Sequence, residues 1–213
     1  MDIQVWSDVV CPWCYIGKRR LERALDGFRH DISVTYRAYE LDPTPVLAPQ
    51  PIKHALAAKF GGPRRASQMF AHVTAVAAGD GLTLDFDRAV AANTFDAHRL
   101  VAWATGQGRQ AEMIDALQRA HFTDGVDIGS HAALAKVAGS IGLDPAAAYG
   151  VLESDMGAAS VRADLAEARD LGIASVPTFV IDYRYAIQGA QEPATLRTAL
   201  QEIARREDVD AGR

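Results

Sequence analysis

Residues with strand character are confined to the two ends of this 213-residue chain. Between about residues 52 and 172 alanine and leucine recur at helical spacing, with almost no β-branched run. Any sheet must therefore be built from the ends, and the middle must pack as helices. At the N-terminal end, Ile3-Gln4-Val5-Trp6 reads as a strand. Trp13, Ile16, Leu21, Ala24, Leu25 and Phe28 then share one helical face, and Ile32, Val34, Tyr36 and Ala38 alternate with Ser33, Thr35, Arg37 and Tyr39. A strand–helix–strand crossover of this kind predicts two parallel strands. At the other end, Thr178-Phe179-Val180-Ile181 and Arg184-Tyr185-Ala186-Ile187 predict a hairpin about Asp182-Tyr183. That turn lacks glycine, so Asp182 or Tyr183 is expected in a less favoured conformation. Pro193 opens a last helix through Leu196, Leu200 and Ile203, and the charged tail from Glu207 to Arg213 is expected to fray.

The chain thus divides into residues 1–41 (βαβ), a helical insertion over 42–172, and residues 173–213 (ββα). Within the insertion the periodicity predicts helices near 52–60, 64–79, 87–92, 94–106, 109–122, 130–141, 145–154 and 157–171. They are separated by breaks such as Gly61-Gly62-Pro63, Gly79-Asp80-Gly81 and Asp124-Gly125.

The only two cysteines are Cys11 and Cys14, in Cys11-Pro12-Trp13-Cys14 between the first strand and the first helix. Pro12 suits a first helical turn, which places Cys11 at a helix N-terminus and Cys14 about one turn further in. An exposed Cys11 sulfur would face unpaired amides and the positive end of the helix dipole, which favour thiolate over thiol. Cys11 is then the candidate nucleophile and Cys14 the resolving thiol. Competing readings are a structural zinc, a structural disulfide and inert buried cysteines. Zinc would need two of His30, His54, His72, His98, His121 and His131, no pair of which has finger-like spacing. A disulfide across two residues closes too small a loop to stabilise much.

Net charge is −5 with scattered basic residues, which argues against a nucleic-acid partner. Lys18-Arg19-Arg20 reads most simply as the solvated face of the first helix. No stretch approaches 18 apolar residues, so no membrane partner is expected. Met1-Asp2 enters a strand almost at once, without a basic or apolar leader, and the chain is expected to be cytoplasmic. There the two thiols would rest largely reduced.

Val176-Pro177-Thr178 precedes the hairpin. Proline at a strand start is ordinarily an edge or turn device. It is also where a cis peptide is affordable, and a cis loop beside the cysteines would leave Val176 backbone groups free to pair with an extended substrate. Asn93 and His98 are read either as a helix cap and a packed histidine or as groups lining a cleft.

The βαβ…ββα frame, its CxxC and Val-Pro-Thr resemble the thioredoxin fold, and the helical insertion resembles its DsbA branch. Ser7-Asp8-Val9-Val10-Cys11-Pro12-Trp13-Cys14-Tyr15-Ile16-Gly17-Lys18 is similar to the FrnE-like dithiol oxidoreductases of that branch. So are Asn93-Thr94, Ala97-His98-Arg99-Leu100, Val176-Pro177-Thr178-Phe179-Val180 and Gly189-Ala190-Gln191. The resemblance implies an α/β thioredoxin-like fold with a large all-helical insertion. It makes Cys11 the attacking and Cys14 the resolving cysteine, with Pro177 the cis-proline and Val176 its substrate-facing neighbour. Pro12 and Trp13 fill the dipeptide that tunes potential, and Asn93 and His98 can line the cleft above Cys11. The buried acid that many thioredoxins carry six residues before the first cysteine is Val5 here, so Asp8 is the remaining candidate for proton transfer to Cys14. Where DsbA has histidine in its motif this chain has Trp13, which implies a less oxidising couple.

The expected function is a cytoplasmic thiol–disulfide oxidoreductase, acting as reductase or isomerase on disulfide-containing proteins or small thiols. No bound cofactor or metal is expected beyond the redox-active cysteine pair, with glutathione a candidate co-substrate. Oligomeric state and substrate stay open. The alternative is a glutathione-dependent isomerase or transferase like the 2-hydroxychromene-2-carboxylate isomerases and kappa-class glutathione transferases. Those typically place serine at the first motif position, so Cys11 argues against that reading. A redox-inert peptide-binding module is the third.

Overall fold

A computed structural model describes residues 1–211. Its strands come from the chain ends: β1 (Asp2–Ser7), β2 (Ser33–Ala38), β3 (Thr178–Ile181) and β4 (Tyr185–Gln188), in the order β2-β1-β3-β4. β1 and β2 are parallel, with Val5 opposite Tyr36, and β3 runs antiparallel to both β1 and β4. The parallel crossover is made by α1 (Pro12–Leu25), as the sequence predicts. β1 is the central strand and is buried from Ile3 through Ser7. Ile3 and Val5 enter the main core with Leu21, Leu100, Leu117 and Leu196, while Trp6 packs on the opposite face with Ala168 and Val180.

The helical block comprises α2 (Ile52–Ala57), α3 (Pro63–Gly79), α4 (Phe95–Thr105), α5 (Gln110–Phe122), α6 (His131–Ser140), α7 (Pro145–Leu152) and α8 (Ala158–Asp170). It also finishes the sheet. β2 is an edge strand, and Gln110 from α5 takes the place of a neighbour: its Oε1 accepts from the Tyr36 amide at 3.0 Å and its Nε2 donates to the Tyr36 carbonyl at 3.0 Å. Asp164 from α8 accepts the Ala38 amide at 3.0 Å and the Arg37 guanidinium at 3.0 Å. A strand edge with its polar groups so occupied cannot template another strand.

Two expectations are corrected. The segment 87–92 is not a helix but a turn. Its backbone pairs instead with the chain before α2, the Ile52 amide donating to the Ala89 carbonyl at 3.0 Å and the Ala91 amide to Gln50 at 2.9 Å. The backbone groups of this segment are taken up by those tertiary partners rather than by a helical turn of its own. The tail expected to fray begins inside α9 (Pro193–Ala211), and Gly212 and Arg213 lie outside the described residues. Lys18-Arg19-Arg20 is not a solvated face: Lys18 and Arg20 are 2% and 8% exposed. Acidic partners account for this, two of them from distant segments. Lys18 pairs with Asp115 of α5 at 2.7 Å and with Glu22, and Arg20 pairs with Asp80 at 2.7 Å.

In the hairpin turn both Asp182 (φ 48°) and Tyr183 (φ 53°) are left-handed, the pattern of a type I′ turn. Asp182 offsets the missing glycine with hydrogen bonds to β1: its Oδ1 accepts the Asp2 amide at 2.6 Å and its own amide donates to the Asp2 carbonyl at 2.9 Å.

Candidate active site

Cys11 is the N-cap residue of α1, in an extended conformation (φ −90°, ψ 113°), with Pro12 opening the helix. Its carbonyl accepts the Cys14 amide at 3.0 Å, and its own amide donates to the Asp8 carbonyl at 3.1 Å. The β1–α1 turn thus fixes both cysteines by backbone bonds alone. From the other half of the chain, Val176-Pro177 comes across the helix start. The peptide between them is cis. The Cys11 thiol lies 3.8 Å from the Val176 carbonyl, in position to donate to it. Pro177 is held from behind by Gly189, whose amide donates to the Pro177 carbonyl at 2.8 Å, and Thr178 Oγ1 donates to Ser175 at 2.7 Å.

Cys11 is less open than its position in the sequence suggests. It is 4% exposed, so little of its surface is open to a substrate sulfur. Beside it Trp13 is 36% exposed, with its ring 6.0 Å from His72 of α3, a contact nothing in the sequence signals. Cys14 is buried beneath, and both thiols are free. Burial pushes the Cys14 thiol well above its ordinary value; the hydrogen bond and charge of Cys11 push the same way, against a backbone hydrogen bond from Asp8. Cys14 is therefore protonated at rest and must lose a proton before it can attack.

The remaining candidates contact one another and their own neighbours. Asp8 is fully buried, and its Oδ1 lies 3.5 Å from His98 Nε2. Asn93 Oδ1 accepts the Phe95 amide at 3.0 Å at the start of α4, and its Nδ2 donates to Glu40 at 3.3 Å. The structure thus brings Asp8 and His98 together, with Asn93 joined through Glu40. Among the described residues no group of three or more His, Cys, Asp and Glu side chains is arranged to hold a metal ion. No described helix is long and apolar enough to cross a membrane.

Gly17, present in the motif but with no role evident from it, has a steric one. A Cβ there would sit 2.8 Å from Pro177 Cγ, so only glycine lets α1 and the Pro177 loop meet. Alanine for glycine inside a helix ordinarily gains about 1 kcal/mol. Here Gly17→Ala is expected to cost about 1–3 kcal/mol through overpacking, a reversal of sign that urea denaturation would show.

Known proteins resemble this chain in sequence and fold. A family model described as a DSBA-like thioredoxin domain matches residues 2–201. The crystal structure of a probable DsbA oxidoreductase from Streptomyces coelicolor is 36% identical, with a TM-score of 0.89, over 95% of this chain and 89% of that one. At lower identity the fold extends to the cytosolic disulfide reductase DsbM from Pseudomonas aeruginosa (24%, TM-score 0.66, 96% and 99% covered). It extends also to a 2-hydroxychromene-2-carboxylate isomerase (15%, TM-score 0.72, 98% of each chain). With the dithiol at the start of α1, the cis-proline opposite and a family match over nearly all its length, the chain belongs to the DSBA-like thioredoxin domain family.

Proposed function

We propose that this protein is a thiol–disulfide oxidoreductase of the cytoplasm that works as a reductase or isomerase. The Cys11 thiolate attacks a substrate disulfide, one substrate sulfur leaves as a thiol, and Cys11 is left in a mixed disulfide. Cys14 then gives up its proton and attacks Cys11; the second substrate sulfur leaves, and the Cys11–Cys14 pair carries the two electrons' worth of oxidation. The observation that carries this reading is the placement of a capping cysteine against the Val176 carbonyl with a second thiol directly beneath it. Trp13, which cannot stabilise a thiolate by charge, favours a couple less oxidising than DsbA. DsbM, named a cytosolic disulfide reductase, shows the fold in such a setting. Substrates are disulfide-bearing proteins or small thiols, with glutathione a co-substrate rather than a bound cofactor.

With Cys14→Ser, incubation of the reduced protein with insulin is expected to trap a mixed disulfide on Cys11, visible by mass spectrometry and released by dithiothreitol. Absence of any adduct would overturn the reading. The similarity to a 2-hydroxychromene-2-carboxylate isomerase supplies the rival, a glutathione-dependent isomerase. It would be favoured if glutathione-dependent isomerisation survived Cys14→Ala undiminished, since such chemistry needs no resolving thiol.

A further inference from the structure

A groove of about 710 Å³ is lined chiefly by α5, by α6 and by Tyr15 and Arg19 of α1. None of Cys11, Trp13, Cys14, Val176 and Pro177 takes part in the lining, so it is not the dithiol site. Helical spacing gives it two apolar walls. Ala116 and Ala120 of α5, and Ala133 and Val137 of α6, stand four residues apart, so each helix offers one small apolar stripe. Side chains this small leave space between the two helices. The volume falls within the roughly 300–1,000 Å³ of sites that take small molecules, which are likewise mostly apolar with a few polar groups.

The polar groups of the groove restrict the kind of molecule. Its carboxylates are already matched within the chain: Glu112 by Arg109 at 3.0 Å, Asp124 by Arg119 at 3.6 Å and Asp115 by Lys18 at 2.7 Å. Arg19 in turn lies 3.5 Å from Glu22. These pairs cancel. Lys136 is exposed and is the one cation of the lining with no carboxylate partner among the described residues, which leaves a positive charge over in a chain of net charge −5. Tyr15 supplies a second unmet group. It is 7% exposed, its ring is stacked on Phe122 at 6.2 Å, and its hydroxyl has no hydrogen-bond partner among the described residues. Polar groups so far buried ordinarily have one. Burial and the Asp115 carboxylate hold the phenol above its ordinary value, against the charges of Arg19 and Arg119, so it keeps its hydrogen and can donate it.

We propose that this groove is a second binding site, for an apolar molecule that carries a single carboxylate, such as a medium-chain fatty acid. Lys136 supplies the countercharge, the Tyr15 hydroxyl donates to the carboxylate, and the hydrocarbon lies along Ala116, Ala120, Ala133 and Val137. One charge is the limit. A second carboxylate on the ligand would meet Glu112, Asp115 and Asp124 with no cation to spare, and a cationic headgroup would face Lys136. An uncharged headgroup would leave Lys136 unmatched.

The test is isothermal titration calorimetry of the full chain with octanoate, octanol, octylammonium and octanedioate. Octanoate is expected to bind one to one, at least about tenfold tighter than each of the other three, since a charge-assisted hydrogen bond is worth about that factor. Lys136→Met keeps the stem of an exposed side chain and removes its charge. It is expected to weaken octanoate at least about fivefold and to leave octanol unchanged, while Tyr15→Phe weakens octanoate at least about threefold. Ala133→Phe, which fills the groove, is expected to abolish binding of all four. The rate at which Cys11 reacts with 5,5′-dithiobis(2-nitrobenzoate) should not change when octanoate is bound. The proposal is overturned if octanoate shows no saturable binding, if octanol or octylammonium binds as tightly, or if Lys136→Met leaves octanoate unaffected. Protection of Cys11 by octanoate would put the ligand at the dithiol and overturn it equally. So would sedimentation of the free chain as a dimer that Lys136→Glu dissociates, because a second copy would then occupy the groove.

Discussion

Cys11→Ser is expected to abolish disulfide reduction, lowering kcat/KM by at least about a thousandfold, roughly 4 kcal/mol of transition-state free energy. A serine hydroxyl is not ionised near neutral pH and does not attack sulfur, so no other group at the site can start the exchange. Cys14 cannot substitute, because it is buried and its thiol is held well above its ordinary value. Stability should change little. The hydroxyl can donate to the Val176 carbonyl as the thiol does, and the cysteine fixes the turn through its main chain rather than its side chain. The check is insulin reduction with dithiothreitol as electron donor, with urea denaturation run beside it. Full turnover in Cys11→Ser would sink the mechanism, and loss of turnover with loss of folding would leave Cys14→Ser trapping as the deciding measurement.

What the sequence made legible was local. Alternation in Ile32–Ala38, the Pro12 helix start and the glycine-free Asp182-Tyr183 turn each report on a few neighbouring residues, and each predicted feature is present. The failures share a cause, which is partners far along the chain. Segment 87–92 carries apolar residues at a spacing that suits a helix, yet its hydrogen bonds go to residues 50–52. Lys18 and Arg20 look solvated until Asp115 and Asp80 are seen across from them. The same limit applies at the site. Cys11 and Cys14 declare themselves by adjacency, and Val176-Pro177 by family resemblance. That Asp8, in the β1–α1 turn, meets His98 of α4, 90 positions later, follows only from packing. His72 beside Trp13 and the contact of Gly17 with Pro177 are tertiary for the same reason.

The largest stability effect is expected at Arg20, because its side chain joins all three parts of the chain. From α1 it reaches Asp80 at the end of α3 (2.7 Å), and from the loop before α9 it contacts the Ala190 carbonyl (2.8 Å) and Glu192 (2.7 Å). Asp80 is 5% exposed, and Arg23, its other partner, is half-exposed. Arg20→Met keeps the apolar stem but removes the charge, which leaves a buried carboxylate with one half-exposed partner and takes the guanidinium away from the Ala190 carbonyl. Breaking a buried pair from one side costs about 3–5 kcal/mol, a large part of the 5–15 kcal/mol that holds a typical domain. Removing both charges is a different matter, since well-packed apolar replacements escape the desolvation penalty. Arg20→Met with Asp80→Leu is therefore expected to recover at least half of the loss, measured by urea denaturation with the denaturant slope unchanged. A double variant no more stable than Arg20→Met alone would mean that the Ala190 and Glu192 contacts, and not the ion pair, carry the effect. The loop between β4 and α9 would then be the part of the fold most dependent on Arg20.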